Sequence, residues 1–198
     1  EFTDNIYSIY GSSEALYITV LLKDEITDDR LNSIGKPGPG IEVSLVEPTQ
    51  EDPGAKVEKG EVGRIAVRTP SMADRIFGNP ELTNESFING WWLSGDVARL
   101  DEQGYLYHQG RVDNMIISGG MNVYAENVEE TIQKKSGVSE CAVVGYPHEK
   151  WGEAVEAHVV TDEKITEEEI DRFCRDTLAD YEVPKKYFFR DQLPRTTT

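Results

Sequence analysis

The feature that most constrains this fold is a change of periodicity at residues 111–113. Before it, short apolar runs at residues 41–46, 63–67, 91–93, 97–100 and 105–107 alternate with turn residues. Pro39-Gly40, Asp52-Pro53-Gly54, Asn89-Gly90 and Gln103-Gly104 supply the punctuation, the pattern of short antiparallel strands joined by hairpins. After it, residues 115–117 and 121–124 flank Gly119-Gly120, which predicts a hairpin with a glycine turn. Residues 126–136, with Val128 and Ile132 four apart, predict a short helix, and residues 138–146 and 153–160 predict two strands. Thr166 followed by Glu169 is a capping box, placing Ile170, Phe173, Cys174 and Leu178 on one helix face. A last strand is expected at residues 187–190. The expected class is α/β (α+β): a mostly β part over residues 1–112, then a small α/β unit over residues 113–198.

Charge narrows the function. A formal net charge of −17 argues against nucleic-acid binding, which depends on basic side chains facing phosphates, and equally against an anionic membrane surface. No apolar run approaches the roughly 20 residues of a membrane-spanning helix, and no charged-then-apolar leader opens the chain, so a cytoplasmic location is expected. Cys141 and Cys174 match neither a metal-ligand spacing nor a disulfide framework and read as buried thiols. His108, His148 and His158 are too scattered for a metal site and read as structural or exposed.

Three segments carry possible chemistry. In Tyr10-Gly11-Ser12-Ser13-Glu14, a glycine beside hydroxyl residues lets backbone approach a phosphate, an aromatic ring can stack on a base, and a carboxylate can hold magnesium. A plain turn with a satisfied tyrosine looks the same. In Trp92-Leu93-Ser94-Gly95-Asp96, the carboxylate at a strand end can accept both hydroxyls of a ribose, although an ordinary Asx turn explains it equally. Residues 110–124 are more specific: Arg111 offers a fixed fork of donors, Asp113 sits where the periodicity changes, and Gly119-Gly120 leave room for a thin ligand.

These segments, in this order, resemble the adenylate-forming (AMP-binding) superfamily of acyl- and aryl-CoA ligases, peptide-synthetase adenylation domains and luciferases. The resemblance extends to Gly60-Glu61-Val62-Gly63, Trp151-Gly152-Glu153-Ala154-Val155, the stretch from Leu178 to Lys185, and Leu193-Pro194-Arg195-Thr196. Gly119 to Tyr124 and the Trp-Gly-Glu segment look like the CoA-ligase branch, with halobenzoate-type and fatty-acid-type ligases most alike.

The resemblance implies ATP, Mg2+ and coenzyme A as cofactors and a carboxylic acid as substrate. It implies a β-rich remnant of a large amino-terminal domain followed by a small carboxy-terminal lid domain. Tyr10 would stack on adenine, Gly11 and Ser12 would belong to the phosphate-facing turn, Ser13 would contact the α-phosphate, and Glu14 would hold magnesium. Asp96 and Arg111 would bind the ribose, and Asp113 would be the hinge. Gly119 and Gly120 would line the pantetheine tunnel, with Trp151 on the arm, Tyr181 on the CoA adenine and Lys185 near a CoA phosphate. The family's phosphate loop is expected upstream of Tyr10 and its adenylation lysine just past Thr198, in the rest of a parent chain. Lys164, Lys185 and Lys186 do not occupy the matching position, so the fragment alone is expected to be inactive. Departures are Ala125 and Asn127 for the usual proline and glutamate, Ser94 for threonine, and Val183 where some relatives place an arginine. Two alternatives stay open: a non-catalytic nucleotide- or CoA-binding module, and an adenylating domain serving a carrier protein.

Overall fold

The computed structural model describes residues 6–50 and 52–195, so Thr196 of the last quoted motif lies outside the described residues. The chain divides between Val112 and Asp113 into two units. The first is a sheet built from β1 (Ser8–Ser12), β2 (Leu16–Leu21), β3 (Ser33–Pro37), β4 (Glu42–Val46) and β5 (Val62–Arg68). After a short helix α1 (Pro80–Ser86) it continues with β6 (Phe87–Ile88), β7 (Trp91–Leu100) and β8 (Leu106–Arg111). The strand order is β1-β2-β3-β8-β7-β5-β4, with β6 paired to β7. Every pairing in it is antiparallel.

Alternation along β5 explains how the centre of this sheet is buried. Ile65 and Val67 enter one core cluster with Ile18, Trp92 and Leu106, whereas Ala66 enters a second with Val46 and Leu93. Because successive strand side chains point to opposite faces, both faces of β5 are covered. Each fully buried branched side chain contributes about 1.5–3 kcal/mol.

This unit differs from the sequence reading in several features, among them β2 and α1, which that reading did not place. The runs at 91–93 and 97–100 are one strand, β7, whose register shifts between Val97 and Ala98. The turn-like Ser94-Gly95-Asp96 lies inside it: the buried Ser94 hydroxyl accepts from the Asp96 N–H at 3.0 Å and donates to the Asp96 carbonyl at 3.2 Å. β1 and β3 escape periodicity because Gly11 interrupts one, while Gly35 and Pro37 interrupt the other.

The second unit contains β9 (Met115–Ser118), β10 (Met121–Tyr124), α2 (Ala125–Gln133), β11 (Val138–His148), β12 (Gly152–Thr161), α3 (Glu167–Thr177) and β13 (Lys186–Phe189). Its order is β10-β9-β12-β11, and β13 joins β12 in parallel. Val128 and Ile132 of α2, and Ile170 and Cys174 of α3, are fully buried in one cluster with Val155, Ala157 and Val159 of β12. The capping box forms: Thr166 Oγ1 accepts from the Glu169 N–H at 3.3 Å, and Glu169 Oε2 accepts from the Thr166 N–H at 2.9 Å. That second bond holds the Glu169 carboxyl below its ordinary range. Phe173 is only half-buried and Leu178 caps the helix, so the buried face is narrower than the spacing suggested. Ala125, buried, opens α2 without the usual proline, and Asn127 donates to Glu182 at 3.3 Å. Val183 is a fully buried core residue. Among the described residues no helix is long and apolar enough to cross a membrane.

Candidate functional site

In the first unit the site is organised around one carboxylate. The β7–β8 register sets Asp96 directly opposite Arg111. Arg111 Nη1 donates to Asp96 Oδ1 at 3.1 Å, and the Tyr10 hydroxyl, contributed by β1, donates to Oδ2 at 2.6 Å. His108 Nε2 stands 3.7 Å from Oδ1. Tyr10, 86 residues away, thus meets His108 and Arg111 of β8 on one side chain that is 19% exposed. His108, Tyr10 and Arg111 together hold the Asp96 carboxyl below its ordinary range, against the opposing effect of burial. Burial, reinforced by the neighbouring carboxylate, pushes the Tyr10 hydroxyl well above its usual value, so it stays a donor at any physiological pH.

Gly95 explains how the guanidinium reaches this position. A Cβ built there would meet Arg111 Nη2 at 2.5 Å, so a larger residue would push the guanidinium away from this position. The group that results is an acceptor on a polar, half-exposed rim, with lone pairs left over after its two protein bonds. Such a carboxylate can take hydroxyl donors from a sugar.

The turn between β1 and β2 carries Ser13, exposed, and Glu14, half-buried. Leu16 closes it with a φ of 59, in the left-handed region. Ser12 Oγ accepts from the Ala15 N–H at 3.1 Å, and the Glu14 carbonyl accepts from the Ala73 N–H at 2.7 Å. A Cβ on Gly11 would collide with the Leu16 carbonyl, so the close approach of β1 and β2 already requires this glycine. Among the described residues no group of three His, Cys, Asp or Glu side chains gathers to hold a metal. Glu14 presents a single half-buried carboxylate on this turn, and a magnesium ion takes one or two protein carboxylates and fills its octahedron from phosphate and water.

The second unit holds a groove of about 300 Å³ lined by Ser118, Gly119, Met121, Trp151, Asp180, Tyr181 and Lys185. Ser118 pairs with Met121, so Gly119 and Gly120 form a two-residue turn, with φ of 61 and 84. Both lie in the left-handed region that glycine adopts without cost, as a tight hairpin of this kind demands. The Gly119 N–H donates to the Trp151 carbonyl at 2.9 Å, and a Cβ on Gly119 would lie 3.5 Å from Trp151 Cδ1. Lys185 donates from Nζ to the Asp180 carbonyl at 3.0 Å. Burial, with Arg175 nearby, lowers its ammonium pKa. Tyr181 is 37% exposed, and burial followed by the Glu182 charge raises its hydroxyl. Gly119, Trp151, Tyr181 and Lys185 therefore share one surface depression, with Gly120 at its turn. Asp113 lies exposed at the division between the units.

Two residues beside these sites are ones the sequence alone did not single out. His108 joins the Asp96 cluster, and His148 stacks on Trp151 with ring centroids 4.3 Å apart and planes 15° apart. The available signal was position: His108 is three residues from Arg111 on the same strand, and His148 three from Trp151. Both cysteines are buried free thiols, and desolvation pushes Cys141 up to about 12.

The chain matches the family model described as "AMP-binding enzyme" over residues 1–77 and that described as "AMP-binding enzyme C-terminal domain" over residues 127–198. It is 38% identical over 174 residues to the long-chain-fatty-acid–CoA ligase FadD13 of Mycobacterium tuberculosis, a match covering 87% of this chain and 34% of that protein. It is 36% identical over 193 residues to the 2-succinylbenzoate–CoA ligase of Bacillus mycoides, covering 98% of this chain and 39% of that one. Among solved structures, o-succinylbenzoate CoA synthetase of Bacillus subtilis in complex with its acyl-adenylate intermediate superposes with a TM-score of 0.84 at 33% identity, over 96% of this chain and 38% of that one. The amide bond synthetase McbA of Marinactinospora thermotolerans gives 0.84 at 32% identity, over 97% and 39%. The chain thus spans between 34% and 39% of the length of these relatives.

Proposed function

The chain belongs to the AMP-binding, adenylate-forming enzyme family, in its CoA-ligase branch, and from that premise we propose that the full-length protein is an ATP-dependent acid–CoA ligase. In this reading residues 1–112 are the last, mostly β part of the AMP-binding domain, residues 113–198 belong to the small mobile domain, and Asp113 is the hinge between them. The single observation that carries it is the convergence of Tyr10, Arg111 and the Asp96 carboxylate at 2.6 and 3.1 Å, a preformed acceptor for ribose hydroxyls.

The reaction has two steps. A carboxylate oxygen attacks the α-phosphorus of ATP, pyrophosphate leaves, and an acyl-adenylate forms. The CoA thiol, giving up its proton, then attacks the acyl carbon and AMP leaves. Here Asp96 and Arg111 hold the ribose and the Tyr10 ring packs on adenine. Ser13 donates to the α-phosphate, and Gly11 and Ser12 shape the turn. Glu14 would hold magnesium, which when bound would neutralise charge on the triphosphate. Catalysis of the first step is positioning and electrostatics, so Asp96 contributes by fixing the α-phosphorus relative to the acid. In the second unit, Gly119 and Gly120 leave space for the pantetheine arm beside Trp151, with Tyr181 for the CoA adenine and Lys185 for a phosphate. A cytoplasmic location, where ATP and CoA are pooled, goes with this reading.

McbA, an amide bond synthetase, shares the fold at the same TM-score as the CoA synthetase, so the fold leaves the acyl acceptor open. The groove at Gly119, Trp151 and Lys185 favours free CoA over an amine or a carrier protein. The test is carboxylate-dependent exchange of pyrophosphate into ATP by the full-length protein, followed by thioester formation with free CoA. Exchange is expected in the full-length protein and absent from the 198-residue chain, whose basic groups at the nucleotide cluster, Arg111 and His108, face Asp96 rather than a triphosphate. Exchange catalysed by this chain alone would falsify the division of labour, and acyl transfer only to a carrier protein would reassign the groove.

A further inference from the structure

We infer that His148 is a positioning residue for thioester formation: its imidazole braces the Trp151 indole and thereby sets the wall along which the thiol-bearing ligand lies. This rests on the CoA-ligase reading and adds a residue that the groove itself does not include, since His148 is not among its lining side chains.

The bracing is geometric. His148 is the last residue of β11 and Trp151 immediately precedes β12, so both stand on the short connection between two long paired strands. The imidazole lies nearly parallel to the indole, at 15° and 4.3 Å between centroids. The imidazole is itself fixed on two sides. His148 Nδ1 accepts the Lys150 N–H at 3.2 Å, which places the proton of the neutral ring on Nε2. Behind it, the Tyr146 ring meets it edge-on at 6.1 Å and 74°. The Lys186 ammonium sits 3.7 Å from the Tyr146 ring centroid.

The result is a row of rings, Tyr146, His148 and Trp151, that starts on the β11 strand and ends in the groove. At the groove end the main-chain carbonyl of Trp151 is bonded to Gly119, the Cδ1 edge of the indole faces Gly119, and the Lys150 and Lys185 ammonium groups each stand 5.6 Å from the ring centroid. In a chain of net charge −17, cations at both ends of this row mark a surface suited to an anionic, phosphorylated ligand. A rotated indole would narrow the passage beside Gly119. The imidazole stack opposes that rotation, which lowers the ordering cost of binding.

The test uses three variants of the full-length protein, and thioester formation is read against CoA concentration beside pyrophosphate exchange. His148→Phe keeps a ring to stack, His148→Asn keeps an acceptor for the Lys150 N–H without a ring, and His148→Ala removes both. An aromatic pair of this kind corresponds to about 3- to 10-fold in affinity, so KM for CoA is expected to rise by about that factor in the Ala and Asn variants. His148→Phe should stay within about twofold of wild type, because the stack survives. Pyrophosphate exchange should be unchanged in all three. Equal loss of both half-reactions, an unchanged KM in His148→Ala, or a normal KM in His148→Asn with a raised one in His148→Phe would each overturn the bracing role. If the wild-type protein exchanges pyrophosphate yet makes no thioester with CoA, the CoA reading fails, and this inference with it.

Discussion

The two candidate sites are built by opposite means. At Asp96 the sheet converges side chains on a single acceptor: a tyrosine from β1 and an arginine and a histidine from β8 meet one carboxylate. At Gly119 it removes side chains, and the groove exists because a two-residue turn carries none and a backbone bond ties that turn to Trp151. The first is selected by hydrogen-bonding groups and is sensitive to charge. The second is selected by shape, so it is sensitive to volume. A ligand with a compact polar sugar and one with a thin flexible arm call for these two kinds of site respectively.

The largest effect should come from removing the carboxylate on which the first site converges. Asp96→Ala is expected to weaken ATP binding by about 100-fold, since two charge-assisted bonds to hydroxyls are lost, with CoA binding unaffected. Titration calorimetry with each ligand separates the two, and equal losses for both would dissolve the contrast between the sites. Next in size is added volume at the second site. Gly119→Val puts a β-branched residue at a φ of 61 and points it at Trp151, so KM for CoA should rise by about tenfold while ATP affinity holds.

Tyr10→Phe sharpens the comparison more gently. It removes one donor to Asp96 and should cost about fivefold in ATP affinity. It also carries a pH signature. The Asp96 carboxyl is held low by His108, Tyr10 and Arg111, so the stabilisation of its ionised form is complete above the ordinary carboxylate range and is lost as pH falls through the lowered value. Without the tyrosine hydroxyl that loss should begin at higher pH, as read from the carbon-13 shift of the Asp96 carboxyl. The smallest change is expected at the cysteines. Both are buried in the second unit, with Cys141 at about 12, so a thiol reagent near neutral pH should label neither until that unit opens. Prompt labelling of either in the native protein would show a looser core than the one described.

The groove was the more legible of the two sites in the sequence. Gly119-Gly120 between apolar runs is a local signal, and the turn it encodes needs no distant partner. Thr166 and Glu169 announced α3 in the same way. The Asp96 cluster depends on pairings that no local pattern contains: Tyr10 lies 86 residues from Asp96, and the Asp96–Arg111 register is set by a shift inside β7. Motif resemblance supplied those three residues, whereas physical periodicity would have broken β7 at Ser94-Gly95-Asp96. His108 and His148 stayed unread because a lone histidine says nothing of the ring or carboxylate that the fold will set beside it. The strands β1 and β3 were unread because glycine and proline interrupt them, whereas β2 was missed although its run of residues is unbroken by either.

The bond from the Gly119 N–H to the Trp151 carbonyl acts as a gauge. It joins main chain to main chain, so the spacing it sets between the hairpin tip and the β11–β12 connection does not depend on which side chains occupy either loop. Substitutions along the rim can alter what the groove attracts and how much of it stays open while leaving that main-chain spacing as it is.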